Sequence, residues 1–62
     1  GFENLRAKDI MSSKPKTIAS DVLAVHALDE MRKHDISQLV VEDNNKYAGI
    51  IHLHDLVKEG II

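Results

Sequence analysis

Cysteine and tryptophan are both absent from this 62-residue chain, and it holds one phenylalanine, one tyrosine and one proline. Without cysteine there is no disulfide and no thiolate zinc site to stabilise a small fold. With so few rings, any core is built from aliphatic side chains, and no aromatic platform exists on which nucleic-acid bases could stack. No run of basic residues is present and the net charge is −2, whereas phosphate neutralisation needs clustered Lys and Arg. Nucleic acid is therefore excluded as the main partner. No apolar stretch approaches the roughly 20 residues of a membrane span, and the first residues lack the basic-then-apolar order of a secretion signal. No membrane association is expected, and the expected location is the cytoplasm. Pro15 and the three glycines fall between apolar segments rather than in a linker, and there is neither low-complexity sequence nor an internal repeat.

What is present is ordinary globular composition, 44% hydrophobic and 29% charged. A chain of this size makes one small domain, residues 1–62, and typically buries only about 60% of its unfolded surface. With disulfides ruled out, association with another surface is the expected source of extra stability.

Hydrophobic periodicity gives the order of elements. Leu5, Ala7, Ile10 and Met11 suit a short helical turn in a lead-in segment, residues 1–14, that ends at Ser12-Ser13-Lys14-Pro15. Lys16-Thr17-Ile18 reads as a short strand. Ser20 and Asp21 are good helix-start residues, and a helix from about Val22 to His34 follows, with Val22, Val25, Leu28 and Met31 at three-residue spacing and Ala24 and Ala27 widening the stripe. Leu39-Val40-Val41 and the run from Tyr47 to His52 are strands joined by the turn signal Asp43-Asn44-Asn45-Lys46. A short helix from Asp55 to Glu59 ends at Gly60. The expected fold is α+β, with order β-α-β-β-α over residues 15–62. Both strands of the hairpin are apolar on each face, so the sheet calls for cover on both sides. Two helices cover only one.

The junction Gly49-Ile50-Ile51-His52-Leu53-His54-Asp55-Leu56 concentrates the candidate chemistry. A strand running into a helix presents unpaired N–H groups that favour an anion, and a preceding glycine permits close approach of a ligand or another backbone. For Asp55 the alternatives are ligand contact and simple stabilisation of the helix dipole. His52 and His54, two residues apart on what reads as one strand face, suit a metal pair, but a site needs a third donor such as Asp55, His26 or a partner's side chain. Polar surface at an interface or ligand cleft is the favoured reading, with no metal site assigned. His26 and His34 are expected in solvent and Met31 in the core. There is no nucleophile–base constellation and no phosphate loop, so no catalytic residue is assigned.

Asp9-Ile10-Met11, Pro15-Lys16-Thr17-Ile18, Gly49-Ile50-Ile51 and His54-Asp55-Leu56 together resemble a CBS domain, the regulatory module named after cystathionine β-synthase. More narrowly, Ile36-Ser37-Gln38-Leu39, the histidine-bearing segment and the ending Glu59-Gly60-Ile61-Ile62 resemble the last CBS domain of bacterial arabinose-5-phosphate isomerases of lipopolysaccharide and capsule precursor synthesis. The resemblance implies a domain that pairs through its sheet with a second CBS domain, from the same or another chain, with a homodimer as one form. It also implies a parent sugar-isomerase domain that interconverts ribulose 5-phosphate and arabinose 5-phosphate, this fragment itself not being the catalyst. It implies no resident cofactor, but an adenine or cytidine nucleotide, or a nucleotide-sugar, as ligand in the cleft between paired domains. By the family pattern a glycine, two aliphatics, a hydroxyl residue and an Asp three residues later hold the ligand. Gly49, Ile50, Ile51 and Asp55 fit, while His52 stands in place of the hydroxyl. An imidazole can still meet a phosphate, neutral or protonated. Thr17 and Ile18 would line the base pocket, with Ser37 and Gln38 near its rim. The alternatives are a structural pairing module with no ligand and a CBS domain of another enzyme or transporter.

Overall fold

The computed structural model describes all residues from Gly1 to Ile62. After a 3-10 turn at Phe2–Asn4, the elements are α1 (Ala7–Ile10), β1 (Thr17–Ala19), α2 (Ala24–His34), β2 (Gln38–Asp43), β3 (Lys46–His52) and α3 (Leu53–Lys58). The strands form one sheet in the order β1-β2-β3, with β1 parallel and β3 antiparallel to β2. A parallel pair needs a crossover, and α2 supplies it. The antiparallel pair is closed by Asn44 and Asn45, both at positive φ (52° and 65°), the left-handed geometry that matches the twist of a two-residue hairpin turn and that Asn tolerates better than most side chains.

Register assigns the faces. Ile18 pairs with Val41 and Leu39 with Ile51, and these side chains share the face that carries the helices. Ala27, Leu28 and Met31 of α2, Leu39 of β2 and Leu56 of α3 form the fully buried core, with Ile18, Ile36, Ile51 and Leu53 packed around it. Thr17, Val40 and Ile50 line up across the opposite face, where no helix lies and Ile50 is 48% exposed. The one-sided cover expected from the apolar pattern is what the chain adopts.

Several boundaries differ from the pattern of the sequence. Helix α2 starts at Ala24, not Val22, and Leu23 rather than Ser20 precedes its first turn. Strand pairing continues past β1, because the Ser20 backbone N–H donates to Glu42 O at 2.8 Å, and the Ser20 hydroxyl meets Asp43 Oδ1 at 3.4 Å. The chain must then turn before a helix can begin. Val22, Ala24 and Val25 are consequently exposed, and the buried stripe reduces to Ala27, Leu28 and Met31. Helix α2 ends at Asp35, left-handed at φ 54°, with the Ile36 N–H donating back to Met31 O at 2.9 Å. Helix α3 begins at Leu53, two residues before Asp55, so Asp55 lies within its first turn.

Candidate functional site

The β3–α3 junction is built around one short hydrogen bond. The His52 backbone N–H donates to Asp55 Oδ2 at 2.7 Å, the carboxylate half of a capping box. The reciprocal half is missing, since the His52 side chain makes no cap hydrogen bond. The same device recurs at α1, where the Arg6 N–H donates to Asp9 Oδ2 at 2.9 Å and a guanidinium has no acceptor with which to reciprocate. Asp55 therefore does the helix-stabilising work that was one of its two alternatives. Its second oxygen makes no protein hydrogen bond.

His52 and His54 do not share a strand face. His52 closes β3 while His54 sits in α3, and no three His, Asp or Glu side chains converge as metal donors. His26 is exposed as expected, whereas His34 is half-buried with Nε2 3.2 Å from Glu30 Oε2, one helical turn away. Around Gly49 a Cβ would meet nothing within 4 Å, so no close approach within the chain requires glycine there.

The largest concavity is an open groove of about 660 Å³ at the end of the sheet, between the lead-in segment, the α2–β2 connection and β3. Ser37 and Gln38 line it, as does Lys14-Pro15-Lys16, whose two ammonium groups were not singled out by the sequence reading. The signal was available in the pair of lysines flanking the proline just before β1. Ile36, Leu39, Val40, Ile50 and Leu53 supply its apolar lining. Such a surface, apolar with two lysines against the single carboxylate of Asp35 and with Ser37 and Gln38 at its margin, keeps a net positive charge and suits an amphipathic anion. Thr17 and Ile18 lie instead along a shallower depression of about 440 Å³ between β1 and α2, beside His26, Asp29 and Glu30. His52 and Asp55 line neither. Within one chain the six candidate ligand residues thus fall into three places: Ser37 and Gln38 in the groove, Thr17 and Ile18 beside α2, and His52 and Asp55 at the α3 cap.

Comparison with known proteins agrees with this architecture. The CBS domain family matches residues 7–61. Arabinose 5-phosphate isomerase KdsD of Francisella tularensis is 39% identical over 59 residues, which are 92% of this chain and 18% of that protein. The enzyme of the same name from Yersinia pestis is 30% identical over 61 residues, 98% of this chain and 19% of its own length. The chain thus spans about one fifth of the curated relatives it matches. Among solved structures, a protein described as acting in signal transduction with CBS domains, from Burkholderia ambifaria, superposes with a TM-score of 0.86 at 29% identity, over 95% of this chain and 43% of the other. The sheet with helices on one face, the junction at His52–Asp55 and these matches lead to one conclusion: the chain belongs to the CBS domain family.

Proposed function

We propose that this domain is the regulatory and assembly module of a sugar-phosphate isomerase that interconverts ribulose 5-phosphate and arabinose 5-phosphate. In this reading it pairs through the open face of its sheet with a second CBS domain and takes a phosphate-bearing metabolite, an adenine or cytidine nucleotide or a nucleotide-sugar, at the groove. The observation that carries the reading is the groove itself. Lys14 and Lys16 border it, and its apolar wall continues into Val40 and Ile50 of the uncovered face, so covering that face would also deepen the groove. Pairing would add a second wall and bring the scattered ligand residues of two domains toward one cleft.

One feature favours a module that pairs without sensing. The Asp55 carboxylate already caps its own helix, and His52 stands where the family pattern has a hydroxyl.

Thermal melts with adenine and cytidine nucleotides, arabinose 5-phosphate and a cytidylyl-sugar separate the two. A ligand of the folded form present at about 100 times its dissociation constant adds ~2.7 kcal/mol, which in a domain of this size raises Tm by ten degrees or more. The expected result is a chelator-insensitive rise that is lost in Lys14→Ala/Lys16→Ala. Both lysines are exposed, so the fold survives the change. Absence of a shift with every compound, in a sample shown to be paired, would sink the sensing half and leave assembly.

A further inference from the structure

Asp35 sits where a carboxylate works against the fold. It closes α2 in the left-handed region, at φ 54° and ψ 49°, a geometry that glycine adopts freely and aspartate only at some cost. It also sets a negative charge at the negative end of the α2 dipole, where cations such as the neighbouring Arg32 and Lys33 are the favoured kind. Asp9 and Asp55 stand in first turns instead, and each accepts a backbone N–H, at 2.9 Å and 2.7 Å. The Asp35 carboxylate accepts no hydrogen bond and pairs with no cation, although it shares a small hollow with Arg32. Its position is nonetheless fixed. The Ile36 N–H donates to Met31 O at 2.9 Å and the Leu53 N–H to Ser37 O at 2.7 Å, so the connection from Asp35 to Ser37 is tied both to α2 and to the start of α3. That connection walls the groove, and Asp35 is its one carboxylate, in a polar set completed by Lys14, Lys16, Ser37 and Gln38.

We infer that Asp35 reads the sugar of a phosphorylated ligand in the groove: the phosphate meets Lys14 and Lys16, and a sugar hydroxyl donates to the Asp35 carboxylate. This rests on the reading that the groove takes a phosphate-bearing metabolite, and it names the residue that selects among such anions. A carboxylate beside two ammonium groups lowers the attraction for every anion alike. It offsets that loss only for a ligand that brings donors of its own, because an ionised carboxylate accepts hydrogen bonds and donates none. Sulfate brings no donor. A pentose phosphate brings several hydroxyls, whether free or within a nucleotide, and only the nucleotide adds a base to cover the apolar wall at Val40 and Ile50. The ligand-holding role that the family pattern gives to Asp55 falls here to Asp35. Asp55 already gives one oxygen to the His52 N–H and borders none of the chain's hollows.

Selectivity rather than affinity alone tests the role. Isothermal titration of a sample shown to be paired compares adenosine and cytidine monophosphates, their dideoxy analogues and arabinose 5-phosphate on the wild type, Asp35→Asn and Asp35→Gly. The wild type should bind the ribose form of its nucleotide at least about tenfold more tightly than the dideoxy form, the scale of one hydrogen bond to a charged group. Both variants should bring the two forms together, weakening the ribose form and, with one negative charge removed, tightening the dideoxy form. Asp35→Gly adopts the left-handed geometry freely, so its Tm should not fall and its loss of selectivity does not come from unfolding. Tighter binding of arabinose 5-phosphate than of either nucleotide supports the assignment with a free sugar phosphate as the source of the hydroxyl, provided Asp35→Asn weakens it about tenfold; the reverse order supports it with a nucleotide. A wild type that binds ribose and dideoxy forms equally, or an Asp35→Asn that keeps the wild-type ratio, overturns the assignment while the groove keeps its ligand. Binding of no compound by a paired sample removes the groove reading and the assignment together.

Discussion

At the level of single residues, exposure separates positions that look alike in the sequence. Val25, Leu28 and Met31 share the three-residue spacing of an amphipathic helix, but Met31 is 1% exposed, Leu28 4% and Val25 47%. The spacing makes Leu28 and Met31 legible as core. It cannot reveal that Ser20 stays paired to Glu42 and delays the helix, leaving Val22 and Val25 beyond the reach of a β1 only three residues long. Met31→Ala removes a wholly enclosed side chain, and such truncations cost about 2–5 kcal/mol. Most of the stability of so small a domain lies in that range. Urea titration should show Met31→Ala largely unfolded without denaturant, whereas Val25→Ala should hold its midpoint. A Met31→Ala midpoint equal to the wild type would mean that Met31 is not enclosed in solution. Asp55 carries the same lesson for the site. The sequence offers a ligand contact or a helix charge, and the 2.7 Å bond from the His52 N–H shows that the second role is filled whether or not a ligand comes.

Elements were legible to the extent that their punctuation was strong. The hairpin is the clearest case, because an Asp-Asn-Asn-Lys turn between two β-branched runs has few other uses. Helix α3 shows the limit. Its acidic residue suggested a start at Asp55, but a carboxylate three residues into a helix can reach back to the N–H before its first turn, and the true start is at Leu53. That shift moves His54 from strand to helix and separates it from His52, which no periodicity in six residues reveals. The turn supports a test at this scale. With Asn45 at φ 65°, a Cβ-bearing residue without an amide strains the left-handed geometry, while glycine adopts it freely. Asn45→Ala should lower stability by about 1 kcal/mol and Asn45→Gly should match or exceed the wild type, read as Tm differences of about 4–8 °C per kcal/mol. Equal melts for the two variants would show that the turn geometry does not limit the hairpin.

For the whole molecule the decisive quantity is how little one chain encloses. Five residues are fully buried, all on the helix side of the sheet, while Val40 and Ile50 wait on the other. The need for cover was readable from strands apolar on both faces, whereas the exposure of the lead-in segment was not. Leu5, Ile10 and Met11 have the spacing of a short helix, and nothing in that spacing says whether the helix folds back or stands away. If pairing supplies the missing burial, stability becomes a property of concentration, since the paired state is favoured by mass action over unfolded single chains. Each tenfold rise in protein then adds about 1.4 kcal/mol to the folded side, and Tm should climb by several degrees per decade of concentration. Ile50→Asp, at a half-exposed position with no core neighbour to lose, should flatten that dependence and leave the dilute-limit Tm where the wild type reaches it. A wild-type Tm independent of concentration would mean that the five-residue core suffices, and the uncovered sheet face would then contribute nothing to the stability of this chain.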